Sequence, residues 1–316
     1  MNRKDEKTIR VGVVGIGYLG RFHAQKYAVM EGVKLTAVAD TDLGRARAVG
    51  DTLGCEARSS AEEILPLVDA VSVVVPTSQH HAVARKFLRA GVDVLVEKPI
   101  TVTLGEARDL IRTARRMKCV LQVGHLERFN AVWAVAGPAL REPRFIEAHR
   151  LGPFQERGTD VDVVLDLMIH DIDICLKYVG APVRRIDSVG VQVLSPNVDI
   201  ANVRLHFANG TVANLTASRV SLKRTRKIRF FQPDLYVSVD CDARTTQIVR
   251  KVPDGDRAPP RIEGEEKTLP ETDALLAELR SFIDSVRTRR PPEVDGEAGA
   301  RALEVALRIV RRMRSS

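Results

Sequence analysis

The sequence predicts an α/β protein in two parts: a doubly wound parallel sheet, then an α/β domain built on a large, mostly antiparallel sheet. Three observations carry this. Over the first 125 residues short apolar runs alternate with segments of helical periodicity, the pattern of a parallel sheet covered by helices. A G-x-G-x-x-G turn, Gly15 to Gly20, follows the first apolar run and opens the first periodic segment. Beyond residue 180 stretches of period-two alternation succeed one another, with Asn209-Gly210 between two of them as a hairpin signal. A chain of 316 residues exceeds one ordinary core. The change of pattern divides it into 1–125 and 126–316.

In order, strands are expected at 10–14, 34–39, 71–75, 94–96 and 120–123, with a weaker one near 55–57. Helices are expected at 19–30, 43–53, 80–89 and 104–117. A strand at 145–151 precedes one long helix over 160–179. Thr159 is placed to cap it with Asp162 three residues on, close to a capping box, and Gly180 and Pro182 end it. Strands follow at 183–194, 200–207, 211–218, 227–231 and 235–239, and helices at 274–286 and 301–312 close the chain. The charged, proline-containing segment 254–265 reads as a mobile loop.

Composition narrows the function. The chain is 44% apolar and 28% charged, as in soluble globular proteins. Its first ten residues are polar, and no apolar run approaches the roughly 20 residues of a membrane span. Cys55, Cys119, Cys175 and Cys241 are far apart, which argues against a zinc site and a disulfide framework. A cytoplasmic protein with reduced thiols, no bound metal and no membrane partner is expected. The net charge of +8 favours anionic partners. Much of it lies on the last helix, where the helix dipole favours cations. No zinc finger, RNA-binding aromatic motif or helix-turn-helix is present, so nucleic acid is not the expected partner.

Four constellations carry chemistry. In the glycine turn, Gly15 permits the tight bend, Gly17 lets a pyrophosphate approach the backbone, and Gly20 lets helix and strand pack closely. Tyr18 and Leu19 complete the turn, and its free N–H groups face the anion. Asp40, twenty residues after Gly20 and closing the second strand, is placed to bond a ribose 2′-hydroxyl. The expected cofactor is NAD, because Asp40 is followed by Thr41 rather than a cation; Arg45 and Arg47 leave NADP open.

Next, Pro76-Thr77-Ser78-Gln79-His80 lies just past the strand at 71–75. Thr77 or Ser78 is expected to cap the following helix, and the loop with Pro76, Thr77 and His80 to face the nicotinamide ribose. Third, Glu97-Lys98-Pro99 ends the very apolar strand 94–96. A lysine there sits at the carboxyl edge where open α/β sheets bind ligands, on a turn that proline stiffens.

Fourth, Asp166, His170 and Asp173 fall at i, i+4 and i+7 of an otherwise apolar helix. They share one face. Acids and an imidazole aligned on a buried helix are costly unless paired, which points to proton transfer. The basic run 223–229, beginning with Lys223 and Arg224, reads first as a charged edge strand that blocks unwanted pairing. Its functional alternative is a contact with a phosphate-bearing substrate.

Together these motifs resemble the Gfo/Idh/MocA oxidoreductases, along nearly the whole chain. The resemblance rests on G-x-G-x-x-G, P-T-x-x-H, E-K-P, the segment Gln122-Val-Gly-His-Leu-Glu-Arg-Phe-Asn130 and the D-x-x-x-H helix. It implies a Rossmann NAD(P)-binding domain, with Glu97 and Lys98 near the cofactor. It also implies a second α/β domain whose open sheet binds substrate and mediates a homodimer or homotetramer. Lys98, Asp166 and His170 match the family's catalytic positions; Asp173, Arg128, Lys223 and Arg224 become candidate substrate contacts. The implied reaction is oxidation of a sugar hydroxyl to a ketone. Three segments, 124–130, 149–173 and 199–224, look closest to members that oxidise the 3-hydroxyl of UDP-N-acetylglucosamine on the way to lipid A. A free sugar or polyol such as an inositol is the alternative substrate, and a non-catalytic nucleotide sensor the alternative of another class. The chain departs from the family in having Met168 where glycine is usual, Ala131 where proline is usual, and Phe231-Gln232-Pro233-Asp234 in place of a glycine turn.

Overall fold

The structure, a computed structural model, describes residues 8–155, 161–252 and 261–314. The chain forms two compact units: Met1–Leu126 with Ala274–Ala300, and Glu127–Asp273 with Arg301–Ser316.

The first unit carries β1 (Ile9–Val14), α1 (Tyr18–Ala28), β2 (Val33–Ala39), α2 (Leu43–Leu53), β3 (Glu56–Arg58), the short α3 (Ala61–Ile64), β4 (Ala70–Val73), α4 (Thr77–Arg89), β5 (Asp93–Glu97), α5 (Leu104–Met117) and β6 (Leu121–Gly124). The six strands are all parallel, in the order β3-β2-β1-β4-β5-β6. Strand order therefore reverses between β1 and β4, and such switch points bind ligands at the carboxyl ends of the strands. Both faces of the sheet are covered, so the central strands are apolar throughout: Val94, Leu95 and Val96 are all fully buried.

The second unit begins with α6 (Val132–Ala136) and β7 (Phe145–Leu151), then a π-helical turn over Val164–Met168 leading into α7 (Ile169–Val179). It continues with β8 (Val183–Val191), β9 (Ile200–Phe207), β10 (Val212–Ser218), β11 (Thr225–Gln232), β12 (Leu235–Asp240), β13 (Thr245–Val252) and β14 (Arg261–Thr268). In chain order two helices follow: α8 (Ala274–Thr288), which belongs to the first unit, and α9 (Gly296–Arg314), which belongs to the second from Arg301 onward. The eight strands form one sheet in the order β14-β13-β12-β11-β7-β10-β9-β8, antiparallel except for β7 with β10. Inward residues such as Ile146, Leu215 and Phe230 pack with Ile169, Ile172 and Ile309 from α7 and α9. The alternate residues of the same strands form the outer face. There Phe145, Phe231 and Tyr236 make a half-exposed aromatic row, with neighbouring ring centroids 5.5 and 5.1 Å apart.

Both sheets of the expected fold class are therefore present. Several local expectations change. The segment Ala274–Ala300 packs in the first unit, because Leu279, Phe282, Ile283 and Val286 of α8 enter its core. The basic run is no edge: β11 lies between β7 and β12, and its cations pair laterally, Arg229 with Glu147 and Arg224 with Asp242 at 3.1 Å. The expected loop over 254–265 in part becomes β14, whose eight residues are all exposed and so carry no apolar alternation to read. Residues 254–260 and the proposed cap Thr159 lie outside the described residues. The turn that lacks the family's glycine places Asp234 at φ +61°, a left-handed conformation aspartate tolerates better than most residues. No helix among the described residues is long and apolar enough to cross a membrane.

Candidate active site

In the first unit the glycine turn links β1 to α1. Gly15 has φ +88°, and a Cβ there would come within 2.4 Å of the Val74 carbonyl oxygen. A Cβ on Gly20 would lie 1.8 Å from the Gly15 oxygen. Only glycine fits either position. At Gly17 an added Cβ would meet no protein atom within 4 Å. The protein therefore does not need a glycine at Gly17; a close external group would. The start of α1 has neither a side-chain cap nor an acid in its first turn. By contrast α5 begins with a complete capping box, Thr103 with Glu106. The N–H groups of α1 are thus left for an anion. Tyr18 and Leu19 are exposed beside them. An adjoining cleft of about 740 Å³ is lined by Gly17, Tyr18 and Arg21 and, from α2, by Arg45 and Val49.

Asp40 follows β2 and is 7% exposed. Its Oδ2 accepts from the Ile16 N–H at 2.7 Å and its Oδ1 from the Asp42 N–H at 2.9 Å, so it fastens the glycine turn to the end of β2. Arg45 approaches both oxygens at 3.3 Å. A ribose hydroxyl bound here would replace the long, shared Arg45 contacts, the weakest of the four. A dinucleotide thus fits the residues present.

The loop after β4 is arranged differently from the expectation. Pro76 occupies the cap position and α4 starts at Thr77, so neither Thr77 nor Ser78 is the cap. His80 is 1% exposed and turned inward. Its Nδ1 lies 2.8 Å from the Pro99 carbonyl oxygen and its Nε2 2.9 Å from that of Val75. Burial pushes its pKa below the usual value, against the pull of those carbonyls. The ring ties the loop after β4 to the turn after β5, which is a positioning role.

That second turn holds Lys98, half-buried directly after β5 and joined to Pro99 by a cis peptide bond. The Lys98 N–H donates to Glu97 Oε2 at 3.3 Å. Glu97 Oε1 lies 3.3 Å from Nε2 of the buried His23 on α1. Burial would raise the Glu97 pKa, but His23 and Lys98 outweigh it and hold the carboxyl below its usual range. Gly124, paired with Glu97 across β5 and β6, leaves room for this carboxylate; a Cβ would come within 2.9 Å of Oε1.

In the second unit Asp166 lies in the π-helical turn and His170 in the first turn of α7, both half-buried. A wider i→i+5 turn within a helix is common at functional sites. The buried Met168 lies in the same turn. Its start is anchored: Asp162 Oδ1 accepts from the Val198 N–H at 3.0 Å, and Oδ2 lies 3.3 Å from Arg314. Asp162 thus binds a loop rather than closing a capping box.

Asp173 separates from its two partners. It is 1% exposed, and Arg128 grips it through both Nε and Nη2, the latter at 2.8 Å. Next to His170, Asp171 is also buried and receives Arg150 through Nε at 2.9 Å and Nη2 at 2.8 Å; Arg150 Nη1 binds Glu127 at 2.8 Å. Burial would raise the Glu127 pKa, but Arg150 and Arg226 overcome it and hold the carboxyl below its usual range. These buried pairs fix the helix that presents Asp166 and His170. Lys223 and Arg224 are exposed. The cysteines offer no nucleophile: burial pushes the thiols of Cys55 and Cys119 up to about 11.

The uncapped glycine turn at the carboxyl edge of a parallel sheet marks the first unit as a dinucleotide-binding domain, the class to which nicotinamide-dependent dehydrogenases belong. The comparisons with known proteins agree. Residues 9–125 match the oxidoreductase family with the NAD-binding Rossmann fold, and residues 112–239 match the GFO/IDH/MocA C-terminal domain. The chain belongs to the Gfo/Idh/MocA family of NAD-binding oxidoreductases. It is 41% identical over 302 residues to a UDP-N-acetylglucosamine 3-dehydrogenase of Acidithiobacillus ferrooxidans, covering 95% of this chain and 96% of that one. A solved structure of that dehydrogenase superposes with a TM-score of 0.91 at 40% identity, over 97% of this chain and 98% of the other. The scyllo-inositol 2-dehydrogenase (NAD(+)) of Bacillus subtilis is 31% identical over 68% of this chain and 69% of its own length.

Sequence reading missed His23, Glu127, Arg150, Asp171 and Glu278. Only Glu127 lies in a motif, the segment 122–130, and there it was not singled out. Each lies against groups distant in sequence, which only the fold brings together.

Proposed function

We propose that this dehydrogenase oxidises the 3-hydroxyl of UDP-N-acetylglucosamine to a ketone, for later amination in lipid A synthesis. The observation that carries the reading is the 41% identity to a dehydrogenase of that substrate across 95% of the chain. Gly15, Gly17, Tyr18, Leu19 and Gly20 hold the pyrophosphate, and Asp40 the adenosine ribose. Pro76, Thr77, Glu97 and Lys98 lie on the nicotinamide side. Bound NAD supplies the hydride acceptor. His170 takes the proton of the substrate hydroxyl, and Asp166, one turn earlier, orients and charge-stabilises the imidazole. Lys98 donates a hydrogen bond to the oxygen as negative charge develops on it. Arg128 and Asp173, paired with each other, position the helix rather than touch substrate. Lys223 and Arg224 are the remaining candidates for a substrate phosphate.

The reaction belongs in the cytoplasm with its nucleotide reactants. The outer sheet face, with its aromatic row, is the surface for a homodimer or homotetramer. A free inositol is the second reading, favoured by the 31% identity to a scyllo-inositol dehydrogenase. The test is NADH formation from UDP-N-acetylglucosamine, from the free sugar and from inositols, with an aminotransferase present to draw off ketone. UDP-N-acetylglucosamine is expected to turn over fastest; preference for an inositol overturns the assignment. Lys98→Ala and His170→Ala should each lose about 10²–10⁴ in turnover with NAD affinity kept, and full turnover by either sinks the mechanism.

A further inference from the structure

Behind the Lys98 turn lies a buried acid that the dehydrogenase reading does not use. Glu278, on α8, is fully buried in the first unit. Neither of its carboxyl oxygens has a hydrogen-bond partner among the described residues. The groups around it are few. From β6, Gln122 Nε2 donates to the backbone carbonyl of Glu278 at 3.2 Å, leaving the Gln122 amide oxygen buried and without a partner. From α1 come His23, which faces Glu97, and Tyr27, whose hydroxyl is taken by Ser72 Oγ at 2.9 Å. From β5 comes Glu97, whose charge acts directly on Glu278. Gln122 and Gly124 are two apart on β6 and so share one face. Glu97 folds over that face at Gly124, and Glu278 meets it at Gln122.

The cluster thus holds two carboxyl groups and the His23 imidazole, with His80 acting more weakly on Glu97 alone. Two buried, interacting carboxyls do not both ionise readily. Glu97 has His23, Lys98 and a backbone N–H to stabilise its charge. Glu278 has none of these. A carboxylate so placed takes up a proton rather than bear the cost of an unsolvated charge.

We propose that Glu278 is a positioning residue for the Lys98 turn: it stays protonated and neutral, and so leaves Glu97 as the only anion of the cluster, seated between His23 and the Lys98 backbone. Burial and the neighbouring Glu97 charge both push the Glu278 carboxyl well above its usual range, in the same direction as the geometry. When Glu278 ionises as pH rises, its charge opposes that of Glu97 and loosens the turn. The link to catalysis rests on the assignment of Lys98 to the reaction; the protonation of Glu278 does not.

The test uses Glu278→Gln, which keeps the shape of a neutral acid, and Glu278→Met, which keeps its volume. A carboxyl whose folded pKa lies above its unfolded value contributes stability that is complete below the unfolded value and is lost as pH rises through the folded one. Wild-type Tm should therefore fall, relative to both variants, as pH rises from the unfolded value to the folded one. The ratio of Glu278→Gln to wild-type kcat/KM should rise as pH passes the folded value, approaching about tenfold per unit. If both variants fail to fold, or if Tm differences stay flat with pH, Glu278 is not neutral and the proposal falls. If Tm behaves as expected but the activity ratio stays flat, the positioning role falls. The Tm series stands even if no substrate turns over, so its outcome is separate from that of the dehydrogenase reading.

Discussion

Asp171 and Glu278 are both buried acids on helices that pack against a sheet, yet the fold treats them in opposite ways. Asp171 is met by a bidentate Arg150, which in turn holds Glu127. Glu278 meets no cation and no hydrogen-bond donor among the described residues. The pattern extends around each. In the second unit Asp173 has Arg128, and Asp199 has Arg219, Ser195 and three backbone N–H groups. The comparison teaches that burial alone does not assign a charge state; the partner does. Arg150 offsets only part of the burial of Asp171, whose carboxyl is held above its usual range, whereas Glu278, with no cation to offset burial, is pushed well above it.

The largest expected effect breaks the comparison directly. Arg150→Met strands two buried carboxylates and should cost about 3–5 kcal/mol in chemical denaturation. Glu278→Met removes a neutral carboxyl that satisfies nothing and should cost less than about 1 kcal/mol at neutral pH. Equal costs would show that both acids are ionised and paired.

A smaller effect concerns the sign of pH dependence. Burial would raise the Asp199 pKa, but Ser195, Arg219 and the backbone N–H groups of Leu194 and Val193 outweigh it and hold the carboxyl well below its usual range. Its stability is therefore complete above the unfolded value and is lost as pH falls through the folded one. Glu278 has the opposite sign. Asp199→Asn should flatten the acid limb of a Tm–pH curve and leave the alkaline limb alone, with changes of the order of 2–4 °C per kcal/mol. A change confined to the alkaline limb would reverse the assignment.

The halves also differ in how legible they were. Glycine spacing, strand-end Lys98 and the ribose acid are local patterns, and the parallel sheet follows from alternating elements. The Asp–His helix was equally visible. The alignment of Asp166, His170 and Asp173 did not reveal Arg128 as the partner of Asp173, because periodicity shows a shared face and not a partner. Arg128 lies 45 residues away from Asp173 and Arg150 21 from Asp171, separations that no local pattern encodes. β14 escaped because an exposed strand has no buried face to impose alternation, and Glu278 because an acid on an amphipathic helix ordinarily faces water.

The smallest expected effect sharpens the contrast at one atom. Gly124 needs no unusual backbone angle; its nearest obstacle is the Glu97 carboxylate. That carboxylate ends a flexible side chain, so Gly124→Ala displaces it instead of blocking folding, at a cost of about 1 kcal/mol or less. The displacement moves Glu97 off His23 and the Lys98 N–H. Turnover should then fall more than stability does, with NAD affinity less affected than kcat. An equivalent change at Gly17, where a Cβ meets no protein atom, should leave stability intact and weaken NAD binding instead. If Gly124→Ala lowered NAD affinity and left kcat unchanged, Glu97 would belong to cofactor binding alone, and the buried pair behind Lys98 would have no hold on the reacting lysine.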